Sequence, residues 1–206
     1  MKKHKFLLSA LFIVSFISIQ ALSYACVGKT IYIGQEKNPE SMILAEMLAI
    51  LIRERTGTTA VVKMLEPGEN GHAVLEKGDI DIFVEYTGIS LTEVLKRKDV
   101  SEKDKIFEVV RREYQEKLNL VWLKPFGFES KFYKNERDGK QGLPCIAAPV
   151  VRKDTLKKFP ALTRLLDKLG GTIDDKTYEE LLKKINNETE SAGDIARWFL
   201  KEKKLI

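Results

Sequence analysis

Histidine and cysteine are scarce in this chain. Its 206 residues hold two of each, and His4 lies close to the N-terminus, so His72 is the one histidine in the body of the sequence. That scarcity leaves no His/Cys cluster with metal-ligand spacing and no visible Ser/His or Cys/His pairing, and no phosphate-binding glycine loop is present either. His72 follows the turn-rich segment Pro67-Gly68-Glu69-Asn70-Gly71 and reads as a surface or capping residue. The pattern argues against an enzyme and calls for no cofactor. A dense Lys/Arg stripe with interleaved aromatics is also missing, which disfavours nucleic acid as a partner. Beyond Phe6 to Ile19 there is no apolar run long enough to cross a bilayer. Internal repeats and low-complexity tracts are absent.

What is present begins with an export signal. Lys2, Lys3, His4 and Lys5 precede the apolar run, and Ser23 and Ala25 stand at the small positions of a cleavage site, so residues 1–25 read as a signal peptide. Loss of its three lysines lowers the formal charge from +5 to +2, and the basic balance is partly a property of the leader. The mature chain, residues 26–206, is expected outside the cytoplasm, periplasmic or otherwise extracytoplasmic. Cys26 directly follows the cleavage site, which admits a lipid anchor, although Ser23 and Tyr24 make a poor lipobox. A Cys26 to Cys145 disulfide is the competing use in an oxidising compartment.

Along the mature chain, Thr30 to Gly34 reads as a first strand, and Asn38-Pro39-Glu40 as the capped start of a helix with Met42, Ile43, Met47, Ile50 and Leu51 on its buried face. Gly57 ends that helix, and Ala60 to Met64 follow as a second strand. A short helix over His72 to Lys77 leads to Gly78-Asp79-Ile80-Asp81-Ile82-Phe83-Val84, a strand apolar on both faces, closed by a polar Glu85-Tyr86-Thr87-Gly88 turn. A short helix over Ser90 to Leu95, a second one capped by Ser101 and a strand over Leu120 to Leu123 continue the alternation. Lys124 to Leu143 shows no apolar period and reads as a loop. Cys145 to Val151 forms a small-residue strand, and helices beginning at Pro160, at Thr172 or Asp174, and at Ser191 complete the chain, the last burying Ile195, Trp198 and Phe199. Such alternation implies an α/β fold with a mostly parallel sheet covered by helices on both faces.

Several separated blocks resemble the osmoprotectant-binding proteins of bacterial ABC importers, which bind glycine betaine, choline, carnitine and related quaternary ammonium compounds. They are Thr30 to Gly34 with Glu40 and Ile43 to Leu48, Gly78 to Asp81 with Glu85 to Gly88, Phe126-Gly127-Phe128, Ala147 to Leu156, and Phe199 to Lys203. The resemblance implies a type II periplasmic-binding-protein fold with one antiparallel return strand. It also implies an ABC permease as membrane partner. Family members carry a complete second lobe where this chain has only Glu129 to Pro144, and a βαβ unit needs about 30 residues. The expectation is therefore a single lobe over residues 26–206, with 129–144 a short linker in place of the second.

A quaternary ammonium has no N–H to donate, so aromatic faces and carboxylates must attract it. Tyr86 would supply a face and Glu85 a charge beside it, while the resemblance gives Glu36, after the first strand, a ligand-side position. Thr87, Asn70 and Gly71 could address a ligand carboxylate through hydroxyl, amide or backbone donors. Phe132 stands near the family's hinge-side aromatic. The reading is a quaternary-amine-binding protein, with a homodimer mate or another protein as the source of a missing half-cleft. The alternative is a non-transporting interaction protein built on the same lobe.

Overall fold

A computed structural model describes residues 29–133, 135–137, 140–187 and 189–206. The N-terminal leader and Cys26 lie outside the described residues. Strand β1 (Ile31–Gln35) enters helix α1 (Pro39–Thr56) through Asn38, whose Oδ1 accepts from the Ser41 amide at 2.8 Å. Gly57, at φ 67, closes the helix in the left-handed region that favours glycine. Strand β2 (Ala60–Met64) pairs parallel with β1. Helix α2 (Gly71–Lys77) returns the chain to β3 (Ile82–Tyr86), parallel to β1 on its other side. The β1 to β2 connection thus leaves in one direction and the β2 to β3 connection in the other.

The chain passes from β3 straight into helix α3 (Thr87–Ile89), which continues as a π-helical turn over Ser90–Val94. Helix α4 (Lys103–Glu113) likewise ends in a π turn (Tyr114–Leu118) before β4 (Leu120–Trp122). Its N-cap is Glu102, without a capping side chain, rather than Ser101. A hairpin of β5 (Asn135–Arg137) and β6 (Lys140–Leu143) precedes β7 (Ala147–Arg152), and β7 inserts antiparallel between β3 and β4. The sheet order is β2-β1-β3-β7-β4. Helices α5 (Lys153–Lys158), α6 (Leu162–Leu166), α7 (Asp175–Asn186) and α8 (Ala192–Glu202) follow.

Each sheet face has its own core. Ile31, Ile33, Ile82, Val84, Tyr86 and Val151 face α1, α6, α7 and α8, while Phe83, Val150, Leu120 and Trp122 face α2 and α4. Helix α1 is covered on most of its circumference, because the sheet packs on one side and α8 on the other. Phe199 of α8 is 1% exposed. Trp198, expected in the core, is only partly covered, with the Lys184 ammonium 4.3 Å from its ring centroid.

Three further sequence readings change. Glu85 and Tyr86 belong to the buried strand rather than to a polar turn. The segment read as a loop from Lys124 contains the β5–β6 hairpin, whose short ladder needs no apolar period; Asp138-Gly139 between its strands was the signal for it. Helix α5 escaped notice because Thr155 is its one buried residue. Phe199→Ala should cost about 3–5 kcal/mol of folding stability in urea denaturation, with Trp198→Ala well below it; equal losses would contradict the packing described.

Candidate functional site

Where two connections leave adjacent parallel strands in opposite directions, a crevice opens beyond the strands' carboxyl ends. Here that switch point lies between β1 and β3, and a pocket of about 310 Å³ occupies it. Glu36 follows β1, Gly68 to His72 come from the β2–α2 connection, and Glu85 and Tyr86 end β3. Ile89 ends α3, and Ser90, Glu93 and Val94 arrive on the π turn, a helix distortion that recurs at functional sites. Phe83 and Tyr133 complete the described lining.

Alternation along β3 sends its last two side chains to opposite faces. Glu85, 4% exposed, points toward α4 and is met three times: Tyr114 donates from its hydroxyl at 2.7 Å, Ser90 donates at 2.9 Å, and His72 Nδ1 lies 3.0 Å from the other carboxylate oxygen. His72 is therefore the partner of a buried acid, not a surface cap. Burial opposes charge on its ring, but the hydrogen bond and charge of Glu85, with Glu76 behind them, raise its pKa above the ordinary value. Burial, and then the Glu85 charge, push the Tyr114 hydroxyl far above the phenol range.

Tyr86 turns toward α1. There Glu40, 2% exposed, accepts hydrogen bonds from Ser130 at 2.8 Å and from Tyr178. Burial raises the Glu40 pKa against the lowering effect of those donors. The Tyr86 hydroxyl faces the same carboxylate short of good hydrogen-bond geometry, so it and Glu40 Oε1 are buried without a well-formed bond. Tyr133 lies flat on the Tyr86 ring, centroids 3.9 Å apart and planes 22° from parallel. Its hydroxyl donates to Glu36 and accepts from Asn38 Nδ2 at 2.8 Å. Burial, then the Glu40 charge, raises the Glu36 pKa.

Five of the six sequence-read positions line the pocket: Glu36, Asn70, Gly71, Glu85 and Tyr86. Gly71 has a steric reason to be glycine, since a Cβ there would fall 2.2 Å from Phe83 Cζ. Asn70 is committed to its helix, accepting from the Ala73 amide at 3.0 Å. Thr87 does not line it. Fully buried, its hydroxyl donates to the Pro144 carbonyl at 2.8 Å and accepts from the Ile146 amide at 3.0 Å, tying β3 to the segment before β7. Phe132 is 46% exposed and outside the lining, whereas its neighbour Tyr133 is inside; the adjacent aromatics Phe132-Tyr133 were a signal read one residue too early. His72, Ser90 and Glu93 were missed, since only the fold brings the first two to Glu85 and the third to the same lining. Cys145 is buried, its sulfur 3.5 Å from the Leu143 carbonyl oxygen. Among the described residues no group of three His, Cys, Asp or Glu could hold a metal ion, and no helix is long and apolar enough to cross a membrane.

Among the described residues four carboxylates line the pocket (Glu36, Glu69, Glu85 and Glu93), His72 is the one ionisable base, and no Lys or Arg takes part in the lining. Such a chamber attracts cations and repels carboxylates. Because the His72 pKa is raised on folding, its ion pair contributes stability fully below the ordinary imidazole pKa, and the contribution fades as pH rises through the folded value. Urea denaturation at about pH 5.5 and about pH 8 should show the advantage of the native chain over His72→Asn shrinking at the higher pH; an advantage independent of pH would contradict the pairing.

Comparison with known proteins meets this geometry. The profile of the family described as the substrate binding domain of ABC-type glycine betaine transport system matches residues 29–132 and 137–202. The carnitine transport binding protein OpuCC of Listeria monocytogenes is 27% identical over 164 residues, 77% of this chain and 48% of its own length. The ergothioneine transport permease/ergothioneine binding protein EgtU of Helicobacter pylori is 28% identical over 105 residues, 50% of this chain and 19% of its own. The chain thus spans about half the length of the first and about a fifth of the second. In fold it is similar to the crystal structure of a glycine betaine/carnitine/choline ABC transporter protein, with TM-score 0.75 at 16% identity, covering 86% of this chain and 98% of that one. It is similar also to apo YehZ from Escherichia coli, with TM-score 0.71 at 18% identity, covering 87% and 100%. By the length of the profile match, this chain belongs to the family of substrate-binding domains of ABC-type glycine betaine transport systems.

Proposed function

We propose that this protein is the exported solute-binding component of an ABC importer, that it captures a quaternary ammonium cation at the β1/β3 switch point, and that it works as a single lobe. The observation that carries this reading is the charge of the pocket: among the described residues its lining holds four carboxylates and no Lys or Arg, in a member of a substrate-binding family. A permanent cation needs no hydrogen-bond acceptor, only negative potential and aromatic surface. A ligand carboxylate would meet repulsion there, with no Arg or Lys among the described lining residues to offset it. Choline therefore suits the pocket better than glycine betaine or carnitine.

The magnitudes point to weak capture. One cation–π contact contributes about 0.5–2 kcal/mol, whereas a micromolar complex requires about 8 kcal/mol. A millimolar complex, about 4 kcal/mol, is within reach of one lobe. Tighter binding would draw on a second surface, from a homodimer mate or the membrane permease. A second reading, a docking protein that no longer captures solute, draws support from the Tyr86 face being already covered by Tyr133.

Calorimetric titration of the purified chain should give choline binding in the millimolar range, at least several-fold tighter than glycine betaine or carnitine. Replacing both Glu69 and Glu93 by Gln should narrow that preference. Silence with all three ligands at about 10 mM, where a millimolar complex would be near saturation, would sink the solute-binding reading and favour docking.

A further inference from the structure

We propose that Tyr133 is a built-in stand-in for the ligand, closing the site of the free chain until a cation displaces it. This rests on the solute-binding reading above. A cation held by an aromatic face sits within about 6 Å of the ring centroid, and on the pocket side of Tyr86 that space holds the Tyr133 ring at 3.9 Å. Nothing can enter between rings so close. The second attraction for a cation, the Glu36 carboxylate, is occupied by the Tyr133 hydroxyl, and Asn38 clamps the pair, donating to that hydroxyl at 2.8 Å and to Glu36 Oε2 at 3.3 Å. One side chain thus takes both the aromatic and the anionic half of a cation site.

The local backbone suits a hinged cap. Ser130 is fixed from below, its amide bonded to the Cys145 carbonyl at 2.9 Å and its hydroxyl to Glu40. The amides of Phe132 and Tyr133 both donate to that same hydroxyl at 3.1 Å. Lys131 is held by Tyr178 and Glu179. Phe132 faces outward, 46% exposed, so Tyr133 is the member of the aromatic pair drawn into the site. Rotation about its own side-chain bonds and the turn over Ser130 would clear the Tyr86 face without disturbing β3.

A ligand competing with an internal occupant binds with an affinity reduced by the open fraction. Choline affinity should therefore rise in the order native chain, Tyr133→Phe, Tyr133→Ala. The phenylalanine keeps the stack but frees Glu36; the alanine removes both, with a gain of about ten- to a hundred-fold, or 1.4–2.8 kcal/mol at 1.4 kcal/mol per factor of ten. Tyrosine ring protons followed by NMR give a second readout. The Tyr133 signals should be displaced by the Tyr86 ring current in the free chain and relax toward free-tyrosine values on choline saturation.

Weaker or unchanged choline binding by Tyr133→Ala would overturn the proposal while leaving the solute-binding reading standing. So would a Tyr133 signal that keeps its ring-current displacement at saturation. If neither the native chain nor Tyr133→Ala binds choline, glycine betaine or carnitine at about 10 mM, above any millimolar dissociation constant, the solute-binding reading falls and the cap falls with it.

Discussion

A carboxylate buried at the end of a strand that is covered on both faces costs several kcal/mol unless its oxygens are met by donors. Glu85 is such a group, and much of the surrounding architecture follows from satisfying it. Helix α2 must place His72 at one oxygen, the π turn after α3 must place Ser90 at the other, and the end of α4 must bring Tyr114 beside it. These elements meet at the carboxyl end of β3, and the space they leave is the pocket. The π register of Ser90–Val94 belongs to this arrangement, since it delivers Ser90 inward and Glu93 to the rim.

The opposite face repeats the arrangement with a different acid. Glu40, on the first turn of α1, gathers Ser130 from the segment after β4 and Tyr178 from α7. Between the two acids stand Tyr86 and the ring stacked on it. Glu85 in the lining, with Glu36, Glu69 and Glu93 around it, gives the site its sign, and among the described residues no Lys or Arg joins them. The Glu40 network also orders the segment that carries Tyr133, since Ser130 binds Glu40 and accepts from the Phe132 and Tyr133 amides.

The alternation of strands and helices was legible because α1, β1, β2 and β3 carry unambiguous signals: Asn38-Pro39 at a helix start, Gly57 at its end, and an apolar run through Ile82, Phe83 and Val84. The antiparallel return of β7 was legible only through resemblance, since Ala147-Ala148-Pro149-Val150 has no periodicity that reveals direction. The positions of Asn70, Gly71, Glu85 and Tyr86 followed from chain order and the strand-end rule, and that of Glu36 from the resemblance. Thr87 failed because a hydroxyl on a tight strand-to-helix junction is taken by the neighbouring backbone, which local sequence does not reveal. His72 and Tyr133 failed for a tertiary reason: their partners lie 13 and 97 residues away, and no spacing rule reaches so far.

The central claim is that the β1/β3 switch point, shaped by Glu85 and its donors, is where a cation binds. Backbone amide NMR of the chain titrated with choline tests it most directly. The account predicts saturable shifts concentrated at Gly68 to His72, Glu85 to Ser90 and Tyr133, with α7 and α8 unmoved. Saturable shifts centred elsewhere, or none at all, would contradict it.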